Sequence, residues 1–239
     1  MRDVLVFIPA WNEEGNLPAV LDDLRVVLPD VDVLVVDDGS SDGTAEVARA
    51  GGAQVLSFGA NRGLPAGIGA GYAYADEHGY AFCGRVDADG QHPAAELARL
   101  LDLVRGGSCD VAVGSRPVSG EGYEAYRYRP SPARRLGTAA LRRAMALVLR
   151  RPFGDATSGL WAVNAAALPV LARPFTTAAP EVEALIRLAD SGLRVEEVPV
   201  NMAARAGGVS KLRGSKAVRV VLTVTGALVV AKLVSLRRR

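Results

Sequence analysis

The sequence predicts an α/β fold in which a mostly parallel sheet is covered by helices on both faces. Short apolar runs alternate with longer amphipathic stretches along the first half of the chain, which is the pattern of repeated strand–helix units. The apolar runs are nearly continuous, as expected for strands buried on both faces of a parallel sheet. The 239 residues are 49% hydrophobic, which is sufficient for one large core.

The strands and helices of the first half can be placed in order. The second apolar run ends in three aspartates, two serines and two glycines, and Asp42 can cap the helix expected from Thr44 because its side-chain oxygen can accept a free backbone N–H. Strands are predicted near Val4–Ile8, Val31–Asp37, Gln54–Phe58, Ala81–Val86 and Asp110–Val113, and helices near Asn16–Val27, Asp42–Ala50, Leu64–His78 and Pro93–Arg105.

The pattern changes beyond Gly114. Residues 116–132 are rich in Pro, Gly, Tyr and Arg and predict an ordered arm or loop, which leads into a helical stretch at 133–151. The later elements are expected to be a short strand at Leu160–Val163, a helix at Pro180–Ser191 and a strand at Val195–Val200.

Residues 85–93, which read R-V-D-A-D-G-Q-H-P, form the most informative motif. Positions two apart in an extended segment point to the same side, so Asp87, Asp89 and Gln91 can converge on one cation. Oxygen ligands suit Mg²⁺ or Mn²⁺, which retain coordination positions for the phosphates of a substrate. The alternative is a solvated turn, since Asp-Gly is ordinary turn sequence.

Other strand ends supply further carboxylates. Ligands of open α/β sheets bind beyond the carboxyl ends of the strands, so Asp37 and Asp38 are expected to face the same crevice as the D-A-D motif. The first strand ends in P-A-W-N-E-E, which brings Glu13 to this edge. Three strand ends are therefore predicted to present carboxylates together.

Charge and cysteine content exclude other classes. The net charge of +2 gives no general case for a nucleic-acid partner, and neither a P-loop nor a dinucleotide motif is present. Cys83 and Cys109 are too few for a disulfide framework, which favours reduced thiols in a cytoplasmic setting. The first strand begins at Val4 with no apolar leader before it, so we expect no signal peptide.

With these motifs in order, the sequence resembles the family 2 glycosyltransferases of the GT-A fold, and among them the dolichyl- and polyprenyl-phosphate mannose and glucose synthases. The resemblance extends from Val4 to about Lys211 through I-P-A-W-N-E-E, V-D-D-G-S-S-D-G-T, N-R-G-L-P-A-G, D-A-D-G-Q-H-P, V-G-S-R, D-A-T-S-G-L-W-A-V-N and V-P-V-N-M-A-A-R-A-G-G-V-S-K. It implies an inverting transfer of a hexose from a GDP- or UDP-sugar to an isoprenoid phosphate. Trp11 stands where the family usually has Tyr, and Leu64 where Lys is common.

The resemblance also implies roles for individual residues. The donor nucleotide-sugar would be held by Pro9, Trp11, Glu13, Asp37, Asp38, Asn61 and Gly63, and the metal and diphosphate by Asp87, Asp89 and Gln91. Arg116, Arg205, Ser210 and Lys211 would bind phosphates of donor or acceptor. Asp155, in D-A-T-S-G-L-W, could orient the acceptor. Equally, Asp155 could only cap a turn, while Glu181 and Glu183 are interpreted first as carboxylates favoured at a helix start.

Two segments indicate a membrane surface. Residues 133–151 place four arginines on one side of a predicted helix, which fits either anionic head groups or an ordinary solvated face. Near the C-terminus only Val220–Ala231 is free of charge, short of the roughly 20 residues that span a bilayer. We therefore assign residues 1–213 to the catalytic domain and 214–239 to an interfacial segment, peripheral on the cytoplasmic face, with a packed core helix as the alternative. An integral membrane partner remains open.

The chemistry leaves one main alternative. An ionised phosphate acceptor is its own nucleophile, so no catalytic base is required, and the site must align the acceptor and stabilise the leaving group. A hydroxyl acceptor, such as a glycolipid or saccharide, would require a base, for which Asp155 is the candidate. A sugar nucleotidyltransferase should open with a glycine- and basic-rich phosphate loop, which this sequence lacks, and the intact carboxylates argue against a non-enzymatic binding subunit.

Overall fold

The computed structural model describes residues 3–115, 146 and 153–203. The strands are β1 (Val4–Ala10), β2 (Asp32–Asp37), β3 (Gln54–Ser57), β4 (Phe82–Arg85), β5 (Val111–Ser115), β6 (Trp161–Asn164) and β7 (Val195–Pro199). The helices are α1 (Leu17–Val27), α2 (Thr44–Ala50), α3 (Leu64–Glu77), α4 (Ala94–Arg105), α5 (Leu168–Leu171) and α6 (Pro180–Asp190). The predicted arm at 116–132, the arginine-rich stretch at 133–151 and the segment at 214–239 lie outside the described residues, apart from Ala146.

The described strands form one seven-stranded sheet in the order β3-β2-β1-β4-β6-β5-β7. All its neighbouring pairs are parallel except those of β6, which runs antiparallel to both β4 and β5. The prediction of a mostly parallel sheet is confirmed, and each predicted strand and helix that falls within the described residues lies within two residues of its observed bounds. The short helix α5 was not predicted, because four residues are too few for a helical period to be visible in the sequence.

Helices cover both faces of the sheet, and two hydrophobic cores result. Side chains alternate along β1, so Leu5 and Phe7 pack in the core beneath α3, α5 and α6. Val6 and Ile8 enter the opposite core, beneath α1, α2 and α4. Burial on both faces explains why β1 and the middle of β2, Val33–Val36, are apolar in sequence.

The start of α2 differs slightly from the prediction. Its N-cap position is occupied by Gly43, one residue later than expected. Asp42 still stabilises this turn, because its Oδ1 accepts the backbone N–H of Thr44 at 3.1 Å. Burial would raise the pKa of Asp42, but the hydrogen bonds from Thr44 and neighbouring N–H groups lower it overall.

The sheet order places β2, β1 and β4 side by side, with their carboxyl ends at one edge. The three strand ends that carry acidic turns in the sequence are therefore adjacent, as predicted. No helix within the described ranges is long and apolar enough to cross a membrane.

Candidate active site

The loop after β1 is pinned to the loop after β2. Asn12 adopts a left-handed backbone conformation with φ of 54°. Its N–H donates to Ser40 Oγ at 2.9 Å, and its Oδ1 accepts the N–H of Ser41 at 2.9 Å. These reciprocal bonds hold the neighbouring Trp11, whose side chain is 41% exposed, at the edge of the sheet.

Glu13 and Pro9 complete this first loop. The Glu13 N–H donates to Thr44 Oγ1 at 2.9 Å, and the Glu13 carboxylate accepts Asn16 Nδ2 at 2.7 Å. Pro9 lies within β1, opposite Val36 of β2. The structure thus brings Pro9, Trp11 and Glu13 together at the edge reached by the second loop, while their contacts with a donor stay predictions.

Asp37 and Asp38 are buried and bind protein groups. Asp37 is 3% exposed, and its two oxygens accept the N–H of Ser40 at 3.0 Å and the hydroxyl of Ser57 at 2.8 Å. Asp38 is 6% exposed and accepts the N–H groups of Arg62 at 2.6 Å and Gly63 at 2.8 Å. Both carboxylates therefore organise the loops around the crevice, an interaction that the strand-end pattern did not reveal.

The loop that carries Asn61 also lies against the second loop. Gly39 has φ of +66°, and a Cβ there would lie 2.5 Å from the backbone carbon of Ala60. Only glycine allows this approach. Through Gly39 and Asp38, the loops after β2 and β3 form one continuous rim, on which Asn61 is exposed.

The D-A-D-G-Q-H motif folds into a tight turn after β4. The N–H of Asp87 donates to His92 Nδ1 at 3.0 Å, so the neutral His92 ring carries its proton on Nε2. Asp89 Oδ1 accepts the N–H of Gln91 at 3.1 Å. Asp89 and His92 are each 8% exposed, whereas the Asp87 side chain is 37% exposed. The bond between Asp87 and His92 closes this turn just before Pro93.

This turn fits a divalent cation bound together with phosphates. The described residues contain no cluster of three acidic, histidine or cysteine side chains that could enclose a metal. Mg²⁺ and Mn²⁺ in phosphate-transfer sites commonly use only one or two carboxylates, and substrate phosphates and water supply the rest. Asp87 and Asp89 match that donor set, and the exposure of Asp87 leaves it accessible.

The Asp87 carboxylate is enclosed by two groups that the sequence analysis missed. Arg85 Nη2 lies 3.3 Å from Asp87 Oδ1 and 2.9 Å from Glu181 Oε1. Gly159, just before β6, lies so close that a Cβ there would be 2.3 Å from Asp87 Oδ2. The sequence does show an arginine inside an apolar strand and a glycine in D-A-T-S-G-L-W. Neither feature indicates that the residue contacts Asp87.

Asp155 closes a turn. Its Oδ1 accepts the N–H of Thr157 at 3.3 Å and the Thr157 hydroxyl at 2.9 Å. Glu197 of β7 accepts the N–H groups of Gly154 and Asp155, each at 2.7 Å. The turn-capping interpretation of Asp155 is confirmed, and its role toward an acceptor stays a prediction.

Glu183 has a larger role than favouring a helix start. It is 5% exposed, and its carboxylate accepts hydrogen bonds from Thr176 and Thr177 and pairs with Arg187. Burial would raise the pKa of Glu183, but the threonine hydrogen bonds and the Arg187 charge hold it below its ordinary value. This network fixes the segment between α5 and α6.

Four predicted phosphate ligands, Arg116, Arg205, Ser210 and Lys211, lie outside the described residues. The chain nevertheless contacts the acidic turn two residues before Arg205. The N–H of Ala203 donates to the carbonyl of Gln91 at 3.0 Å. Arg116 follows the last residue of β5 directly in sequence.

The described sheet is mostly parallel with one antiparallel strand, and an acidic turn lies at its carboxyl edge beside two interlocked loops. This is the architecture of a GT-A glycosyltransferase. The chain belongs to the glycosyl transferase family 2, whose family model matches residues 5–168.

Comparison with known proteins agrees with this assignment. The chain is 34% identical to a polyprenol monophosphomannose synthase of Mycolicibacterium smegmatis, over 88% of this chain and 81% of that protein. It is 33% identical to an undecaprenyl-phosphate mannosyltransferase of Micrococcus luteus, over 99% and 98% of the two chains. A crystal structure of glucosyl-3-phosphoglycerate synthase from Mycobacterium tuberculosis, in complex with Mn²⁺, UDP and glucosyl-3-phosphoglycerate, shares the fold. Its TM-score is 0.69 with 24% identity, covering 95% of this chain and 80% of that one.

Proposed function

We propose that this protein transfers a hexose, mannose or glucose, from a nucleotide-sugar to a polyprenyl phosphate with inversion at the sugar carbon. The observation that carries the proposal is the acidic turn at Asp87–Gln91. It lies at the carboxyl edge of the sheet, in a chain that aligns along 99% of its length with an undecaprenyl-phosphate mannosyltransferase. Alignment over the whole chain supports a shared acceptor class, because the acceptor motifs lie in its second half.

The donor would bind across the loops after β1, β2 and β3. The exposed Trp11 offers an aromatic face to a nucleoside, and Pro9 and Glu13 lie on the same pinned segment. The buried Asp38 holds Gly63, two residues after Asn61, on the rim formed by the loops after β2 and β3. The nucleotide would be GDP or UDP, as the family resemblance implies, and a solved structure of the same fold contains UDP.

A divalent cation, Mg²⁺ or Mn²⁺, would be held by Asp87 and Asp89 with help from Gln91. When bound, it would neutralise charge on the departing nucleoside diphosphate. The contribution of the chain is orientation, because the turn is closed by the bond between His92 and the Asp87 N–H, and the Asp87 carboxylate is enclosed on two sides. Arg116 would add a positive charge for phosphate.

The acceptor phosphate would be bound by Arg205, Ser210 and Lys211. Arginine offers a fork of donors and lysine a point charge, and both suit a phosphate. The bond between Ala203 and Gln91 directs the chain toward the acidic turn two residues before Arg205. A polyprenyl phosphate is ionised at neutral pH, so no side chain has to remove a proton from it. Asp155 is then not required as a base and would only cap its turn.

A lipid acceptor places the reaction at a membrane. We infer that the protein binds peripherally to the cytoplasmic face through the basic and apolar residues 214–239. The arginines of the 133–151 stretch would assist by attracting anionic lipids. An integral membrane partner would be needed only if the lipid-linked sugar has to cross the bilayer.

The proposal is tested by incubating the purified protein with GDP-mannose, GDP-glucose or UDP-glucose and a polyprenyl phosphate, and identifying lipid-linked sugar by mass. We expect product with one of these donors, and its loss in a chelator of divalent cations. Asp89→Asn should remove most turnover, because the turn loses an anionic ligand. Asp102→Asn, an exposed aspartate of α4, is the matched control. Full turnover in chelator would contradict the metal assignment, and product only with hydroxyl acceptors would contradict the acceptor.

A further inference from the structure

We propose that Arg85 and Glu181 form an internal ion pair that positions the Asp87 carboxylate and preserves its negative charge for the donor's cation. Arg85 and Glu181 are thus positioning residues. The inference deepens the proposed function and rests on it, because it assigns a purpose to side chains that touch the acidic turn from within the protein.

Arg85 contacts both of the other side chains, Asp87 and Glu181. Arg85 ends β4, and its Nη2 atom contacts both Glu181 Oε1 at 2.9 Å and Asp87 Oδ1 at 3.3 Å. Glu181 lies in the first turn of α6, 96 residues away in sequence. A change in the position of this helix would therefore reach the acidic turn through Arg85.

The arginine is held in an environment that is costly for a charge. Its side chain is 2% exposed, and that of Glu181 is 13% exposed. The Glu181 and Asp87 carboxylates, both in contact with the guanidinium, offset the cost of burying its positive charge. Within residues 3–115 and 153–203, neither Arg85 Nε nor the nearby buried hydroxyl of Tyr72 has a hydrogen-bond partner. A pair optimised only for stability would satisfy these groups.

The distances indicate how charge is divided. Arg85 makes its shorter contact with Glu181, so the positive charge is balanced mainly by a residue outside the acidic turn. Asp87 receives a weaker hydrogen bond that orients one oxygen. Without Glu181, Asp87 would be the one carboxylate among the described residues that contacts the arginine, and the arginine would compete with a cation for it.

Gly159 restricts Asp87 from a second direction. A Cβ at this position would lie 2.5 Å from Oδ1 and 2.3 Å from Oδ2 of Asp87, so the backbone is in direct contact with the carboxylate. Between Gly159 and Arg85 the carboxylate has little freedom to rotate. Removing a contact that orients a metal-binding carboxylate in this way typically changes metal affinity about 10- to 100-fold.

The experiment measures Mn²⁺ affinity by electron paramagnetic resonance in the presence of GDP or UDP, together with the melting temperature of the metal-free protein. Glu181→Gln should weaken Mn²⁺ binding by about tenfold. Adding Arg85→Met should recover most of that loss, because the unbalanced positive charge is gone. Asp190→Asn, which removes an exposed carboxylate at the other end of the same helix, should leave Mn²⁺ affinity unchanged.

If Glu181→Gln does not fold, Glu181→Asp takes its place, since it keeps the charge and only shortens the side chain. Glu181→Asp should weaken Mn²⁺ binding less than Glu181→Gln. Wild-type affinity in the Glu181 variant would overturn the inference. So would equally weak binding in the single and double variants, since that pattern is expected from structural damage alone. If the wild-type protein binds no Mn²⁺ with either nucleotide, both the ion-pair role and the metal assignment of the proposed function are wrong. If the wild-type protein binds Mn²⁺ and the Glu181 variants bind it equally well, only the ion-pair role is wrong.

Discussion

Replacing Gly159 by Ala should disable the active site without unfolding the protein. The new Cβ would lie 2.3 Å from Asp87 Oδ2, 2.5 Å from Oδ1 and 2.6 Å from Cγ. Real Cβ contacts essentially never fall below 3.0 Å, so the carboxylate has to move by at least 3.0 − 2.3 = 0.7 Å. It cannot move without disturbing its contact with Arg85, so we expect it to rotate out of its present position.

The size of the effect follows from this displacement. A misplacement of about 1 Å in a catalytic group can lower the rate about 100-fold. That factor corresponds to about 2.7 kcal/mol of transition-state stabilisation. The fold should tolerate the change with a loss of about 1–3 kcal/mol in the free energy of unfolding, the usual range for one added methyl group in a packed site.

The assay compares kcat/KM for sugar transfer and urea unfolding in wild type, Gly159→Ala and Gly69→Ala. Gly69 is the matched control, because a Cβ there would be 3.7 Å from Phe175, an ordinary contact, and it lies inside α3, where Ala is favoured. We expect Gly69→Ala to keep full activity. If Gly159→Ala keeps kcat/KM within about twofold of wild type, the claim that a fixed Asp87 carboxylate is required is wrong.

Three further predictions concern stability, the acceptor and the membrane. Glu183→Gln should lower the free energy of unfolding by about 1.5–3 kcal/mol at pH 7. Because the folded pKa of Glu183 is depressed, this contribution is present above its ordinary pKa and should disappear as the pH falls through the folded value, measured by urea unfolding at pH 7 and below about pH 4. Arg205→Ala or Lys211→Ala should reduce transfer to polyprenyl phosphate at least about tenfold with donor affinity unchanged, measured by kinetics and nucleotide titration. Truncation after Arg213 should release the protein from anionic liposomes in flotation, and binding of the full-length chain should weaken with salt.

Each of these has a control and a contrary result. Glu77→Gln, an exposed glutamate at the end of α3, should be neutral for stability, and a pH-independent loss in Glu183→Gln would refute the linkage argument. Arg49→Ala, an exposed arginine of α2, should leave transfer unchanged. Equal weakening of donor binding would instead assign Arg205 and Lys211 to the donor diphosphate. If the full-length chain does not bind liposomes and the truncated chain is unfolded, residues 214–239 pack in the core and are not a membrane anchor.

Much of the candidate site could be predicted because it lies where strands end. Apolar runs mark the strands, and a parallel arrangement forces their carboxyl ends to one edge. The D-A-D-G-Q-H turn and the P-A-W-N-E-E loop were therefore located from sequence, and the structure places β1, β2 and β4 side by side as this requires. The direction of each carboxylate could not be predicted, since Asp37 and Asp38 bind Ser57 and the N–H of Gly63, which lie 20 and 25 residues away.

The sequence by itself determined the strand–helix alternation, the family and the chemical character of the acidic turn, because each depends on periodicity or on residues that are neighbours in the chain. The tertiary structure alone decided that antiparallel β6 lies between β4 and β5, which brings Gly159 against Asp87. It also decided that Glu181 reaches Arg85 across 96 residues. These contacts arise from how the second half of the chain packs onto the first, and no local pattern of residues encodes a distance between segments so far apart in sequence.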